Sequence, residues 1–146
     1  MKEELLFKAI KLAQKAHKGQ TDKYGAPYIA HVFRVMERGR TLDEKIVGAL
    51  HDVVEDHPKY SFNLLREEGF PEYIVDAVEC LTKTSDDEDY DRFIQRTEKS
   101  KLAVAVKLND LLDNMNLARI NRELTEKDLK RLNKYLKAYR YLWEKY

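Results

Sequence analysis

The chain has 146 residues, with 27 lysines and arginines against 26 aspartates and glutamates, for a net charge of +1. This length suits one domain, which we expect to span residues 1–146. The balanced charge excludes the strong overall positive potential that is typical of proteins that bind nucleic acids or anionic membranes. A single cysteine, Cys80, excludes an intrachain disulfide and multi-cysteine zinc patterns. The charged start and the lack of any stretch long enough to span a bilayer lead us to expect a cytoplasmic protein.

The spacing of apolar residues predicts helices along most of the chain. The predicted helices cover residues 4–17, 28–38, 41 to about 58, 61–68, 71–83, 90–97 and 100–116, followed by a long closing helix. Thr41 with Glu44, and Thr125 with Asp128, have the spacing of helix N-terminal caps, whereas residues 20–27 are predicted to form a loop. No segment shows strand alternation, so the expected fold is all-helical.

Two further segments are interpreted as surface or packing features. The acidic run from Thr84 to Asp91 is expected to be a solvated loop, because its carboxylates do not have the spacing of a calcium loop. The closing helix carries an apolar stripe that we interpret as core or as the contact of a homodimer. The stripe consists of Leu129, Leu132, Leu136, Tyr139, Leu142 and Trp143.

The stretch Ala-Leu-His-Asp-Val-Val-Glu-Asp-His, residues 49–57, concentrates polar groups among apolar neighbours. On a helix, His51 and Glu55 would share one edge, and Asp52 and Asp56 the next. Surrounding valines and leucines leave little helix surface for solvent, so we expect these groups to face an interior cleft. Buried carboxylates are costly unless they are paired or bind a metal, which makes this stretch a candidate metal site.

Two other predicted helices contain polar positions that need a reason, His31 and Asp110. Together with His51 and Asp52 they form a mixed nitrogen and oxygen set, suited to manganese or iron and acceptable to zinc. Such a set leaves coordination positions open for water. The alternatives are that His31 is a hydrogen-bonded core histidine and that Asp110 belongs to a buried ion pair.

Several segments of the chain, in order, resemble those of the HD-domain metal-dependent phosphohydrolases. They are Ala-Gln-Lys-Ala-His-Lys-Gly-Gln from residue 13, Gly-Ala-Pro-Tyr-Ile-Ala-His from residue 25, His-Asp-Val-Val-Glu-Asp from residue 51, and Val-Lys-Leu-Asn-Asp from residue 106 with the later Asn-Met. Within that family the chain is most similar to the hydrolase domain of RelA/SpoT homologues and to small alarmone hydrolases. The resemblance runs from about residue 4 to residue 120.

The resemblance implies a compact helical bundle with the metal site between helices. It implies that one divalent metal, most often manganese, with iron, zinc or magnesium as alternatives, is held by His31, His51, Asp52 and Asp110. Glu55 and Asp56 would act on the nucleophilic water, with Glu55 favoured as the base, and Asp56 could instead be a supporting group or an ordinary helix-end acid. The implied activity removes the 3′-pyrophosphate of guanosine tetra- or pentaphosphate and returns GDP or GTP with pyrophosphate.

Some positions depart from the pattern of that family and concern the substrate. The family has an arginine that packs on guanine where this chain has Asp22, and an acid cannot make that contact. Leu111 and Asp113 also replace an arginine and a histidine of the family pattern. The expected substrate contacts are Lys18, Lys23, Lys107, Asn114 and Arg119, with a salt bridge to a carboxylate of the site as an equal alternative for Lys107.

Three other functions are consistent with the same residues. The first is an HD-type nucleotidase or pyrophosphohydrolase that acts on another nucleotide. The second is a nucleotide-sensing module without turnover, which Glu55 and Asp56 argue against, because binding alone does not need groups that activate water. The third is a helical interaction domain without a metal.

Overall fold

The computed structural model describes residues 1–146, except for the side chain of Asp56. Its α-helices are α1 (Lys2–Ala16), α2 (Tyr28–Arg38), α3 (Leu42–Leu50), α4 (Val53–Asp56), α5 (Phe62–Glu67), α6 (Glu72–Cys80), α7 (Tyr90–Thr97), α8 (Lys101–Asn114) and α9 (Glu126–Trp143). A 3₁₀ turn, Leu117–Arg119, follows α8. Over the described residues the only β-type pairing is an isolated bridge between Thr21 and Pro27. The all-helical prediction is therefore confirmed, and the fold is consistent with an HD-type bundle.

Helix α3 is the centre of the larger of two hydrophobic clusters. It packs against α1, α2, α6 and α8, and its Ile46, Val47 and Leu50 are fully buried. The second cluster lies between α7, α8 and α9, around Leu111, Ala138 and Leu142. Because α8 contributes to both clusters, it fixes the position of α9 relative to the central helices.

The predicted helix from residue 41 to about 58 is interrupted at its most polar point. Helix α3 ends at Leu50, and α4 begins at Val53 after Asp52, whose backbone has φ −111° and ψ 2°. In a continuous helix, consecutive side chains diverge by about 100°. The turn at His51 and Asp52 instead brings both side chains to one point, so the prediction of a single helix here is wrong.

Helix caps follow the sequence closely. The Thr125 hydroxyl accepts from the Asp128 N–H and Asp128 accepts from the Thr125 N–H, which completes the expected capping box. At α3 only half of a box forms, because the Glu44 carboxylate accepts from the backbone N–H of Arg40. The acidic run forms a loop into α7, as predicted, and Asp89 caps that helix.

The apolar stripe on α9 is divided between core and surface. Leu142 is fully buried in the second cluster, whereas Leu129, Leu136 and Trp143 are 55%, 41% and 61% exposed. The expected homodimer stays a prediction. Among the described residues, no helix is both long and apolar enough to cross a membrane.

Candidate metal centre and its cleft

The predicted metal ligands converge in the structure, although they come from three separate parts of the chain. One donor atom from each of His31, His51, Asp52 and Asp110 lies within 4.8 Å of all the others. His31 is on α2, Asp110 is on α8, and the other two occupy the turn between α3 and α4. The predicted juxtaposition of these four side chains is therefore present, although whether they bind metal stays a prediction.

His51 is held in one tautomer by its own helix. Its Nδ1 atom lies 2.7 Å from the carbonyl oxygen of Gly48, three residues earlier, and must donate a proton to it. The opposite ring atom, Nε2, is buried and has no hydrogen-bond partner among the described residues. Nevertheless, it lies 2.9 Å from Asp52 Oδ2 and 3.4 Å from Asp110 Oδ1. The imidazole nitrogen and the two carboxylate oxygens thus face a common point, which fits a divalent cation with nitrogen and oxygen ligands.

His31 is held by a carboxylate from a distant part of the chain. Its Nδ1 atom lies 2.6 Å from Asp113 Oδ2, and its Nε2 atom lies 3.0 Å from Asp110 Oδ1. Asp113 is completely buried, and it also accepts from Arg34 and Arg119. Both candidate imidazole ligands therefore have Nδ1 bonded away from the site and Nε2 directed into it.

The two candidate carboxylate ligands are also bonded to side chains outside the ligand set. The Tyr28 hydroxyl donates to Asp52 Oδ2. Lys107 is buried and places Nζ 2.9 Å from Asp110 Oδ2, while the Asn114 amide donates to Asp110 Oδ1 at 3.2 Å. The salt-bridge alternative for Lys107 is thus what the structure contains.

Opposite charges dominate the electrostatics of the centre. Burial by itself would lower the pKa of His51, but the adjacent Asp52 and Asp110 outweigh burial and raise that pKa well above its ordinary value. The pKa of His31 is also raised, because hydrogen bonds to Asp110 and Asp113 outweigh its burial. Burial opposes ionisation of Asp110, yet Lys107 and the two imidazoles hold its pKa well below the usual range. A metal that binds here therefore competes with protons for the imidazole nitrogens.

The centre opens into a cleft formed by two neighbouring cavities. The inner cavity, about 140 Å³, is lined by both candidate carboxylate ligands, by Glu55 and by Lys83 and Lys134. The outer cavity, about 270 Å³, is lined by residues of the loop before α2 and by α9. The two cavities share Tyr28, Asn114 and Tyr135 in their walls. An elongated ligand could therefore occupy both.

The remaining predicted site residues lie at different places around this cleft. Glu55 is exposed in the inner cavity, where its carboxylate accepts from the backbone N–H of Lys83 at 3.3 Å. Lys23 and Arg119 line the outer cavity, while Lys18 is exposed beside a separate groove. The side chain of Asp56 lies outside the described residues. The expected roles of these residues stay predictions.

Asp22, which departs from the family pattern, organises the loop before α2. Its carboxylate accepts from the backbone N–H groups of Tyr24 and Ala26, and it accepts from Arg119 at 3.1 Å. Arg119 in turn contacts the Asp113 carboxylate at 3.0 Å. The two departures from the family pattern, at positions 22 and 113, are thus connected through one arginine.

Several residues that line the centre and its cleft were not predicted from the sequence. Tyr28 could have been found, because it lies one helical turn before His31 and so shares its face of α2. Lys83 and Lys134 had no such signal, since one follows α6 and the other lies on α9. Only the packing of these elements brings their ammonium groups to the same cavity.

Comparison with known proteins connects this centre to enzymes of guanosine polyphosphates. No protein-family model matches the chain. It is 34% identical over 124 residues to a guanosine-3′,5′-bis(diphosphate) 3′-pyrophosphohydrolase of Borreliella burgdorferi, covering 75% of this chain and 18% of that protein. It is 28% identical over 137 residues to the protein of the same name from Aquifex aeolicus, covering 86% and 19%. It is 32% identical over 131 residues to a GTP pyrophosphokinase of Streptomyces coelicolor, covering 82% and 16%.

The fold and these likenesses together indicate the class of the protein. A helical bundle in which two imidazoles and two carboxylates converge is consistent with an HD-domain hydrolase branch. The chain is a homologue of the RelA/SpoT-type proteins, so the resemblance seen in its motifs is confirmed. It spans less than a fifth of the length of these three relatives.

Proposed function

We propose that the chain is a divalent-metal-dependent phosphohydrolase that removes the 3′-pyrophosphate of guanosine tetra- or pentaphosphate. The observation that carries the proposal is the convergence of His31, His51, Asp52 and Asp110, in which the buried Nε2 atom of His51 faces both carboxylates. The names of the Aquifex and Borreliella relatives supply the substrate.

The proposed metal is manganese, because two nitrogen and two oxygen donors suit a borderline or hard divalent ion. Iron, zinc and magnesium are the alternatives to be compared with it. A divalent cation in this centre supplies Lewis acidity, which favours ionisation of water near neutral pH and stabilises negative charge on a phosphoryl group. Tyr28, Lys107 and Asn114 would keep the carboxylate ligands oriented through their bonds to Asp52 and Asp110.

Glu55 is the proposed general base for the attacking water. It lines the same cavity as Asp52 and Asp110 and follows Asp52 by three residues in α4. Its carboxylate is exposed to the cleft, so a water molecule in the cleft can reach it. Asp56 is the alternative base or a supporting group.

The cations of the cleft favour a polyanionic substrate. Lys23 lines the outer cavity, and Lys134 lines the inner one with its Nζ atom 4.6 Å from the centroid of the Tyr90 ring. Burial lowers the pKa of both, and neighbouring cations, among them Arg131, lower it further. Such crowding of positive charge is unfavourable in the empty cleft and is relieved by a bound anion.

The placement of these cations suits a nucleotide that carries phosphates at two ends. Lys83 and Lys134 line the inner cavity beside the metal ligands, whereas Lys23 and Arg131 line the outer one. A 3′-pyrophosphate at the inner cavity would leave the 5′-phosphates near the outer cations. The shared tyrosines, Tyr28 and Tyr135, offer aromatic surface between the two. Among the predicted contacts, Lys107 and Arg119 are already bonded to Asp110 and Asp113, so we assign the phosphates chiefly to the lysines that are not.

A second candidate is hydrolysis of a different nucleotide by the same centre. It is favoured by Asp22, which stands where the family has its base-packing arginine and is bonded into the loop and to Arg119. The metal chemistry would be the same, and only the base or the number of phosphates would differ.

The test is an assay of purified protein with Mn²⁺ and a panel of nucleotides, with products separated by ion exchange. The proposal expects guanosine tetraphosphate to give GDP and pyrophosphate, with no activity in His51→Ala. Cleavage of another nucleotide, with guanosine tetraphosphate left intact, would select the second candidate. Tight nucleotide binding without turnover under Mn²⁺, Fe²⁺, Zn²⁺ or Mg²⁺ would favour a sensing module over an enzyme.

Glu55→Gln tests the proposed base separately from the metal. Turnover should fall by about two to four orders of magnitude, as for loss of a general base, while Mn²⁺ affinity stays unchanged. Asp86→Asn, in the exposed acidic loop, is the matched control. Near-normal turnover in Glu55→Gln would move the base to Asp56.

A further inference from the structure

Asp113 has no place in the ligand set, yet it is in direct contact with a candidate ligand. We propose that Asp113 is the positioning residue for His31, whose Nδ1–H it holds so that Nε2 is presented to the metal. This inference rests on the proposed function, because it requires a metal between His31, His51, Asp52 and Asp110.

The geometry of the contact is that of a carboxylate, histidine and metal arrangement. Asp113 Oδ2 lies 2.6 Å from His31 Nδ1, and the other ring nitrogen of His31 faces Asp110 Oδ1 at 3.0 Å. Asp113 follows Asp110 by three residues on α8, so both carboxylates reach the same imidazole from one helix face. Asp110 contacts the ring at Nε2, the candidate ligand atom, and Asp113 contacts it at Nδ1 on the opposite side.

Asp113 is itself fixed from two directions. Arg34 donates Nε to Oδ1 at 2.8 Å, and Arg119 donates Nη1 to Oδ2 at 3.0 Å. Arg119 is also bonded to Asp22, which orders the loop before α2. The carboxylate therefore has little freedom to rotate, and its charge is compensated by arginines even when His31 is neutral.

The consequence for the metal is both geometric and electronic. A histidine that donates Nδ1–H to an ionised carboxylate is locked in the tautomer with a lone pair on Nε2, and that lone pair becomes more basic. His51 has the weaker version of this support, a neutral carbonyl at Gly48. Asp113 is thus expected to make His31 the more strongly donating of the two imidazoles.

The experiment compares Mn²⁺ dissociation constants of the full chain and of Asp113→Asn, measured without nucleotide. Loss of such an outer partner typically weakens metal affinity by about 10- to 100-fold, and we expect a value near the lower end because asparagine can still accept from Nδ1–H. The matched control is Asp128→Asn, since Asp128 is also a buried aspartate bonded to two arginines, Arg122 and Arg131, but it does not contact the ligand set. The control should bind Mn²⁺ like the parent chain.

The outcomes separate this inference from the proposed function. Parent-like Mn²⁺ affinity in Asp113→Asn, or an equal loss in both variants, would overturn the positioning role. A parent chain that binds no Mn²⁺, or a His51→Ala variant that binds it normally, would overturn the metal centre as well.

A second measurement remains decisive if Asp113→Asn does not fold. Long-range ¹H–¹⁵N spectra of the metal-free parent chain, at a pH where the imidazoles are neutral, report which nitrogen of His31 carries the proton. The inference expects the Nδ1–H tautomer. The Nε2–H tautomer would contradict it.

Discussion

The two halves of the candidate metal centre are built in different ways. On the His51 side, the imidazole is fixed by a carbonyl three residues earlier in the same helix. On the His31 side, the imidazole is fixed by Asp113, which is 82 residues away along the chain. Equivalent ligand atoms are thus oriented by local structure in one half and by tertiary structure in the other.

The two halves therefore depend on tertiary packing to different degrees. The hydrogen bond that orients His51 needs only the end of α3, because the His51 ring and the Gly48 carbonyl belong to one helical turn. The His31 support needs α2 docked on α8, together with Arg34 and Arg119 around Asp113. The His31 side should therefore be the more sensitive to changes at a distance.

The largest effect on metal binding is expected from removing either imidazole. His51→Ala and His31→Ala should each abolish measurable Mn²⁺ binding, because each removes a ligand from the set. In the parent chain, free Mn²⁺ at 100 times its dissociation constant should stabilise the fold by about 2.7 kcal/mol. Both variants should lose this gain in thermal unfolding followed with and without Mn²⁺. A metal-dependent rise in melting temperature that survives in either variant would exclude that histidine as a ligand.

The next effect concerns Asp110, which both halves share. Lys107→Met removes the buried ammonium that pairs with Asp110 at 2.9 Å and leaves a buried carboxylate without that partner. The metal-free protein should lose about 3–5 kcal/mol in urea unfolding, as for breaking a buried ion pair. Mn²⁺ should restore part of this loss, since the metal replaces the missing positive charge. Equal destabilisation with and without Mn²⁺ would argue against a cation beside Asp110.

A smaller effect should follow from pushing the two halves apart. Gly48 on α3 faces α2, and a Cβ at this position would lie 3.0 Å from the Met36 Cα atom. Gly48→Ala should therefore cost about 1–3 kcal/mol in unfolding free energy, as overpacking does. Mn²⁺ affinity should fall too, because α2 carries His31. A stabilised variant would mean that α2 moves freely and that the higher helix propensity of alanine dominates.

The pH dependence of metal affinity tests both imidazoles together. The pKa values of His31 and His51 are raised in the metal-free protein, so protons compete with the metal already above pH 6.5. Mn²⁺ affinity should fall as the pH is lowered from 8.5 to 6, by up to about tenfold per unit for each proton displaced. Titration calorimetry in buffers of different ionisation enthalpy would count those protons. An affinity independent of pH would show that neither imidazole is protonated when the metal enters.

The stability of the metal-free protein should depend on pH in opposite directions for the histidines and the aspartates. A histidine with a raised folded-state pKa contributes stability below its unfolded value of about 6.5, and this contribution is lost as the pH rises through the folded-state value. The lowered pKa values of Asp52 and Asp110 contribute stability above about 3.8, which is lost as the pH falls. Unfolding curves of metal-free protein between pH 3 and 9 would test both directions.

Much of this protein is determined locally and could be predicted from its sequence. Apolar periodicity gave the helices, side-chain caps such as Thr125 with Asp128 marked their starts, and His51 with Asp52 identified the candidate centre. These features depend on interactions within one or two turns of helix. Residue types and spacing report such interactions directly.

How the separate parts of the chain meet depends on long-range packing, which residue types and spacing do not report. The break of the helix at Asp52, the Asp113 contact with His31, and the arrival of Lys83 and Lys134 at one cavity all depend on the docking of α2, α8 and α9. In the sequence, Asp113 differs from the family pattern, and this difference indicated only that a cation of the family pattern is absent. Its partner lies 82 residues away, and a sequence does not state which distant side chains packing will bring within hydrogen-bond distance.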